Sequence, residues 1–260
     1  MSQLITQDEF HEALHSDLDK SYRPSQKRSR RPMHGRPARG SRLPSPDPSH
    51  TLRWATATIN PRTSSIDVQI RLKFITDDLS QNDAKQLRKL AKKGIERFWS
   101  GKITIGKQYF QVHTSVKNRQ GPNALPLDLR KTPPGQTLPS YNPSIPWLTE
   151  ATLTYNEVYG ANQATDDAVF QSVAAHEVGH SILTNARGYY FSWTHKGTST
   201  LMQVPLARRP KYSKANQLDL MSYYNGNPFK LNSKKILNKA KAFHKDIKRL
   251  IFGAQIEWKS

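Results

Sequence analysis

The stretch IDVQIRLKF, residues 66–74, decides the fold class of this 260-residue chain. Apolar and polar residues alternate strictly along it, and the apolar ones are Ile66, Val68, Ile70, Leu72 and Phe74. This period of two predicts a β-strand with one face in the core and one face in water. The next segment has a helical period: Ser80 can cap a helix that ends near Gly101 and carries an apolar stripe at Leu87, Ala91, Ile95 and Phe98. A strand followed by an amphipathic helix indicates a sheet covered by helices.

Other segments extend this pattern on both sides. Alternation and turn residues predict further strands at 52–56, 102–106, 108–117 and 151–155, the last of them at an edge of the sheet. Residues 118–148 hold seven prolines, which predicts a long surface loop.

Two more helices are predicted downstream. One begins at a Thr165 cap, carries acidic residues in its first turn and ends near Ala186. The other begins at Ser233, and its apolar stripe is Ile236, Ala240, Phe243, Ile247, Leu250 and Ile251. We therefore predict an α+β domain over residues 51–260, with three main helices against one mixed, twisted sheet.

Residues 1–50 are predicted to stand apart from that domain, as a short helix and a disordered basic arm. Thr6 and Glu9 can form a capping box for a helix over residues 6–19. The apolar stripe of this helix is Phe10, Leu14 and Leu18. Residues 21–50 are rich in Arg, Ser and Pro and hold almost no apolar side chain to offset the entropy of ordering them.

The chain carries a net charge of +20, which suits an anionic partner such as a nucleic acid, an acidic protein or a membrane surface. The cations are concentrated in the arm, at residues 22–43, and in the last predicted helix, at residues 230–249. A solvated tail and a solvated helix face explain the same charges equally well.

The N-terminal segment MSQLITQDEFHEALH has neither the basic nor the apolar region of a secretory signal. No apolar run approaches the roughly 18 residues that a membrane span requires. We expect a protein made in the cytoplasm without a signal peptide or a membrane span, whose export would need a non-classical secretion system.

Two segments match the pattern H-E-x-x-H, FHEALHSD at residues 10–17 and VAAHEVGHSIL at residues 173–183. On a helix this spacing places two imidazoles one turn apart on one face, with a carboxylate beside the first. Zinc hydrolases use that arrangement, and a chain without cysteine must build any metal site from His, Asp, Glu or Tyr.

The surroundings favour the second motif as the metal site. A zinc-binding helix packs its back into the core and lines a dry cleft, so residues that flank the motif should be uncharged. The second motif has only uncharged neighbours, and Gly179 leaves room beside its helix. The first motif is flanked by three acids, Asp8, Glu9 and Asp17. We interpret His11 and His15 as incidental residues of a surface helix outside the domain.

We therefore predict that His176 and His180 bind Zn²⁺ and that Glu177 acts as general base toward a zinc-bound water. A catalytic zinc needs a third protein ligand from elsewhere in the chain. His195 is the next histidine downstream, and a loop could return it to the metal. Asp219 is the alternative, since a carboxylate can serve as a ligand.

The segment DLMSYY, residues 219–224, resembles the Met-turn of metzincin metallopeptidases. In that family a Met lies under the zinc ligands, and in the astacin-like and serralysin-like branches a Tyr two residues later faces the metal. Met221 and Tyr223 match this arrangement. LMQ at 201–203 is a second candidate Met-turn, but it lacks the following Tyr.

More narrowly, residues from about 51 to 252 resemble metallopeptidase domains of bacterial polymorphic toxins and secreted effectors. The resemblance is carried by KKGIERFWSGKITI, HEVGHSILTNARGYYFSWTHKGTSTLMQ and DLMSYYNG. The sequence departs from the metzincin pattern at Leu183 and Ala186, where the family has a glycine and the third histidine.

The resemblance implies a metzincin-like zinc metallopeptidase, acting as a secreted toxin or effector on a protein of another cell. A cognate inhibitor or immunity protein would then be a partner. Tyr223 would bind the metal at rest or stabilise the oxyanion. The edge strand at 151–155 could pair with an extended peptide substrate.

Two other functions fit the same residues. One is a basic nucleic-acid-binding protein with a structural or degenerate zinc site, because KRSRRPMHGRPARGSR at 27–42 is similar to phosphate-gripping or nuclear-targeting tails. Such a protein would have no use for Glu177, and the sequence contains no recognisable nucleic-acid-binding module. The other is a zinc hydrolase that acts on a bond other than a peptide bond.

Overall fold

The computed structural model describes residues 4–20, 52–134, 136–140, 151–157, 163–185, 218–221 and 237–259. The helices are α1 (Gln7–Lys20), α2 (Gln81–Phe98), α3 (Gln163–Asn185) and α4 (His244–Gly253). The longer strands are β1 (Leu52–Asn60), β2 (Ser65–Ile75), β3 (Gly101–Ile105), β4 (Gln108–Asn118), β5 (Leu125–Lys131), β6 (Ala151–Tyr155) and β9 (Ala254–Trp258). Two short strands, β7 (Leu218–Asp219) and β8 (Ala240–Lys241), pair with each other.

The main sheet is mixed, with strands in the order β3-β4-β2-β1-β9. β5 continues along the same side of β2 as β4, and β6 pairs with β5. The hairpins β1–β2 and β3–β4 are antiparallel, whereas β9, β5 and β6 join by parallel pairing. The prediction of an α+β fold with a mixed sheet is therefore confirmed.

Strand β2 behaves as its alternation predicts. Its five apolar residues, from Ile66 to Phe74, are buried, and the polar residues between them lie on the opposite face. Successive side chains of a strand point to opposite faces of the sheet, so one face of β2 is in the core and the other lies toward solvent. The turn before β2 is closed by the Asn60 side chain, which accepts the backbone N–H groups of Arg62 and Thr63.

Helix α2 also begins where the sequence predicts. The Ser80 hydroxyl accepts the Asp83 N–H, and Leu87, Ala91, Ile95 and Phe98 are buried against the sheet. α2 packs closely on α3 at Gly94. A Cβ at Gly94 would lie 2.7 Å from the carbonyl carbon of Gln171 and would overlap its oxygen, so the two helix backbones meet directly at this point.

Three predictions about the elements are wrong. The predicted loop at 118–148 contains strand β5, whose Leu127 and Leu129 are buried. The predicted helix from Ser233 is broken at β8, because the backbone of residues 240–242 bonds to other segments: Leu220 N donates to Lys241 O, and Ala242 N donates to Phe98 O. α3 begins at Gln163, two residues before the predicted Thr165 cap.

The N-terminal helix is present, but it does not lie outside the domain. The capping box forms, since Glu9 accepts the Thr6 N–H and Thr6 accepts the Glu9 N–H. Phe10 and Leu14 are fully buried, and the Phe10 ring lies 5.5 Å from Phe110 and 5.6 Å from Trp258. The helical spacing of the apolar residues predicted the stripe, but not the surface of the domain that covers it.

Charged contacts also hold α1 against the rest of the fold. The Asp17 carboxylate lies 2.7 Å from Lys248 of α4 and accepts the Gly106 N–H from the β3–β4 turn. Residues 21–51, which include the predicted disordered arm, fall outside the described residues. Among the helices that the structure describes, none has the length and apolar character needed to cross a membrane.

Candidate metal centre

Helix α3 carries the second H-E-x-x-H motif, and its back is packed as that motif requires. The residues buried on both sides of the histidines are Ala174, Ala175, Val178, Ile182 and Leu183. A helix apolar on most of its surface sits in the core rather than on the surface. In the part of the chain that the structure describes, α3 is therefore held between α2, β6 and α4.

The two histidines of the motif point their rings at one place. His176 Nε2 and His180 Nε2 lie 3.1 Å apart. The Nδ1 atom of His176 lies 2.7 Å from the carbonyl oxygen of Leu220. A carbonyl can only accept, so this contact puts the proton on Nδ1 and leaves the Nε2 lone pair directed away from Leu220.

The separation of the two Nε2 atoms fits a shared metal ion. Two ligands of a tetrahedral zinc, each with a Zn–N bond of about 2.0–2.1 Å, lie about 3.3 Å apart. The observed 3.1 Å is close to that value, and without a metal it is a hydrogen bond in which His180 Nε2–H donates to His176 Nε2. Desolvation lowers the pKa of His176 from its ordinary value, which favours the neutral imidazole that a metal requires.

The segment 218–221 lies under the histidines and is fixed by its own turn. The Asp219 carboxylate accepts the Met221 N–H at 2.9 Å. This hydrogen bond closes a short turn and holds the backbone at Leu220 in place. β7 pairs with β8, which ties the segment to residues near the C-terminus. The Leu220 carbonyl that holds His176 is thus anchored at both sides.

Met221 fills the space that Gly179 leaves beside the helix. Met221 is fully buried, and a Cβ at position 179 would overlap its sulfur atom. The same Cβ would come within 2.9 Å of the Trp99 ring. Trp99 in turn donates its indole N–H to the Ala175 carbonyl at 2.9 Å. The room predicted at Gly179 is therefore taken up by two side chains from other segments.

Glu177 is buried beside the two histidines, with 7% of its surface exposed. Burial raises the pKa of this carboxyl group to about 8. A buried carboxyl group with a displaced pKa, next to two converging imidazoles, is a candidate for proton transfer. A cation held nearby would favour its ionised form.

The remaining predicted site residues divide into two groups. His195 and Tyr223 lie outside the described residues, as does the second candidate Met-turn at 201–203. Asp219 is described, and its carboxylate accepts the Met221 N–H in the turn.

The first H-E-x-x-H motif has different surroundings. His11 and Glu12 are exposed on α1, and His15 packs edge-on against Phe252. His11 and Glu12 therefore lie on the outer side of α1, whereas His15 packs on the domain.

The predicted peptide-binding edge at 151–155 is partly covered. β6 pairs with β5 on one side, and all five of its residues are buried. On the other side, the Thr154 N–H donates to the Ser140 hydroxyl at 2.9 Å, and the Thr154 hydroxyl contacts the Pro139 carbonyl. An extended peptide could pair at Thr154 only by displacing residues 138–140.

Two residues of the centre were missed by sequence reasoning. Leu220 acts through its backbone carbonyl, for which a sequence holds no signal. Trp99 reaches α3 from the end of α2, across 76 residues of chain. The one available clue was Gly179, because a glycine inside a helix marks a close approach by another group.

Comparisons of the chain with protein-family models, with curated proteins and with solved structures found no match.

Proposed function

We propose that this protein is a zinc-dependent metallopeptidase in which His176 and His180 bind the metal. The observation that supports this most directly is the convergence of their Nε2 atoms, with His176 held by the Leu220 carbonyl. A backbone or carboxylate partner on the second ring nitrogen is the usual support for a metal-binding histidine. Met221 beneath the helix agrees with the Met-turn resemblance, and His195 is the proposed third ligand.

When bound, zinc would supply Lewis-acid chemistry, polarising the scissile carbonyl and lowering the pKa of water. The Glu177 carboxylate would take a proton from the attacking water while the new C–O bond forms. Glu177 would then deliver that proton to the leaving amine as the C–N bond breaks. Tyr223 is proposed to stabilise the negative charge on the carbonyl oxygen.

A purely structural zinc site explains Glu177 less well. Burying a carboxyl group costs free energy, and the raised pKa of Glu177 reflects that cost. A structural site gains nothing from it, whereas a hydrolase needs a base at this position. The role as a secreted toxin or effector, with a cognate inhibitor, is proposed from the sequence resemblance alone.

The experiment compares Glu177→Ala with the parent chain in metal content and in proteolysis. We expect about one zinc per chain in both proteins and new protein N-termini only with the parent. The matched control is Glu12→Ala, which changes the same residue of the exposed first motif and should keep full activity. Loss of zinc from Glu177→Ala, or unchanged cleavage by it, would show that Glu177 is not the base.

If the parent protein binds zinc but generates no new N-termini in a proteome, the proposal that it is a peptidase is wrong. Hydrolysis of a non-peptide bond, abolished by the same Glu177→Ala change, would then identify a different hydrolase built on the same centre.

A further inference from the structure

The outer face of α2 carries a row of cations. Four of them recur at every fourth position: Lys85, Lys89, Lys93 and Arg97. Side chains four residues apart lie one above the other on a helix, so these four form a single line. At 1.5 Å per residue the line is about 18 Å long. All four side chains are exposed, and Lys92 lies beside the row.

The row has almost no counter-charge within the protein. Lys92 lies 3.9 Å from Glu96, whose carboxylate also accepts the Val116 N–H. Within the described ranges, no carboxylate lies at ion-pair distance from Lys85, Lys89 or Lys93. Like charges four residues apart destabilise a helix, so this arrangement opposes the stability of α2. An anion bound along the row would relieve this repulsion.

The row continues onto the segment 237–245. Arg97 donates to the Leu237 carbonyl at 2.9 Å and to the Asn238 side chain at 3.2 Å. Ala242 N donates to the carbonyl of Phe98, the last residue of α2. This segment adds exposed cations and an aromatic ring that is 39% exposed. We name the whole surface the basic ridge: Lys85, Lys89, Lys92, Lys93, Arg97, Lys241, Phe243 and Lys245.

We propose that the basic ridge binds the phosphate backbone of a single-stranded nucleic acid without sequence preference. A linear row of cations is complementary to the regularly spaced negative charges of a phosphate backbone. The exposed Phe243 ring favours a nucleic acid over an acidic polypeptide, because every base offers a flat face for stacking. The ridge is separate from the metal centre, and the proposal does not depend on peptidase activity.

The test measures binding of the full chain to a fluorescein-labelled DNA strand of about 20 nucleotides by fluorescence anisotropy. The ridge variant is Lys85→Gln/Lys89→Gln/Lys93→Gln, since Gln keeps helix propensity and removes three charges. The matched control is Lys102→Gln/Lys107→Gln/Lys117→Gln, which removes three exposed charges from the β3–β4 hairpin. Circular dichroism checks that both variants keep the fold.

We expect the ridge variant to bind at least about tenfold more weakly at about 100 mM salt, and the hairpin variant to bind nearly as the parent does. The slope of log Kd against log salt should fall by about 2 in the ridge variant, at about 0.7 per lost phosphate contact. Phe243→Leu should weaken binding by about fivefold with the slope unchanged, because stacking is not a charge interaction.

Equal weakening in both triple variants would overturn the proposal, because net charge alone would then account for binding. A parent chain that does not bind DNA at about 50 mM salt would overturn it too. Tighter binding of polyglutamate than of DNA, lost in the ridge variant, would assign the ridge to an acidic polypeptide instead. Zinc content, measured alongside, should not change in any of these variants.

Discussion

At the scale of single residues, the candidate centre depends on groups that never touch the metal position. The Leu220 carbonyl fixes the tautomer of His176, and Met221 and Trp99 set how closely that carbonyl approaches α3. Such supporting contacts keep ligand rings oriented, and their loss typically weakens metal binding. The contacts made by Gly179 and Asp219 each allow a separate test.

Gly179→Ala should weaken zinc binding and lower stability by about 2 kcal/mol. The new methyl group would overlap the Met221 sulfur, and the hydrogen-bonded Trp99 ring cannot move aside freely. The turn would shift away from α3, and the Leu220 carbonyl would lose His176. Chelator competition measures the zinc affinity, and urea denaturation measures the stability.

The matched control for Gly179 is Gly101→Ala. Its Cβ would lie 3.6 Å from the nearest atom of Ile247, which is an ordinary contact. Zinc affinity equal to the parent's in Gly179→Ala would mean that the packing of Met221 has no part in holding the ligands.

Asp219→Asn should keep zinc binding, because an amide oxygen can still accept the Met221 N–H. Asp219→Ala should loosen the turn and weaken zinc binding indirectly. His195→Ala should reduce zinc affinity by several kcal/mol, as expected for a lost ligand. Isothermal titration with zinc compares the three variants. Loss of zinc in Asp219→Asn, with full binding in His195→Ala, would make Asp219 the third ligand.

At the scale of elements, the backbones of α2 and α3 meet directly at Gly94. Gly94→Ala should destabilise the protein by about 3 kcal/mol, because its Cβ would collide with the backbone of Gln171, which cannot rotate away. Chemical denaturation gives the change in unfolding free energy. Lys93→Ala, one residue earlier on the exposed face, should change stability by less than about 0.5 kcal/mol. Similar values for the two variants would mean that the helices separate at little cost.

The elements predicted correctly are those whose pattern depends on local sequence alone. β2 and α2 show long, regular hydrophobic periods with a turn or cap at the start. The sequence alone therefore predicted which of their residues face the core. The first residue of α4 could not be predicted in this way. Its apolar stripe continues back to Ile236 with helical spacing, and the break at Ala240–Lys241 comes from hydrogen bonds to Leu220 and Phe98. A sequence does not show such distant partners.

β5 and β9 were missed for different reasons. Leu125, Leu127 and Leu129 alternate, so a strand signal was present in β5 but was outweighed by the surrounding prolines. β9 has only five residues and directly follows α4, and its parallel pairing with β1 joins segments about 200 residues apart. The spacing predicted that His176, Glu177 and His180 lie together on one helix, and the uncharged flanking residues distinguished this motif from the first one. The parts played by Leu220 and Trp99 depended on tertiary structure.

At the scale of the whole molecule, α1 is part of the folded body although residues 21–51 separate it from β1. Its contacts join it to the β3–β4 hairpin, α4 and β9. Removing it would expose Phe110 and Trp258 and would leave Lys248 without the Asp17 carboxylate. Helix α1 therefore contributes to stability, in contrast to the prediction that it stands apart from the domain.

Phe10→Ala/Leu14→Ala should destabilise the protein by about 3 kcal/mol, since burial of each of these side chains stabilises by about 1.5–3 kcal/mol. The loss of stability should be smaller than the sum of the two burial terms, because α1 can separate from the domain while the rest of the core stays packed. His11→Ala/His15→Ala changes one exposed and one half-buried side chain of the same helix, so it should cost less than about 1 kcal/mol and leave zinc content unchanged. Urea denaturation and metal analysis of both double variants provide the comparison.

If the Phe10/Leu14 variant unfolds at the same urea concentration as the parent, α1 is not an integral part of the domain. A zinc ion lost only in the His11/His15 variant would place a metal site at the first motif.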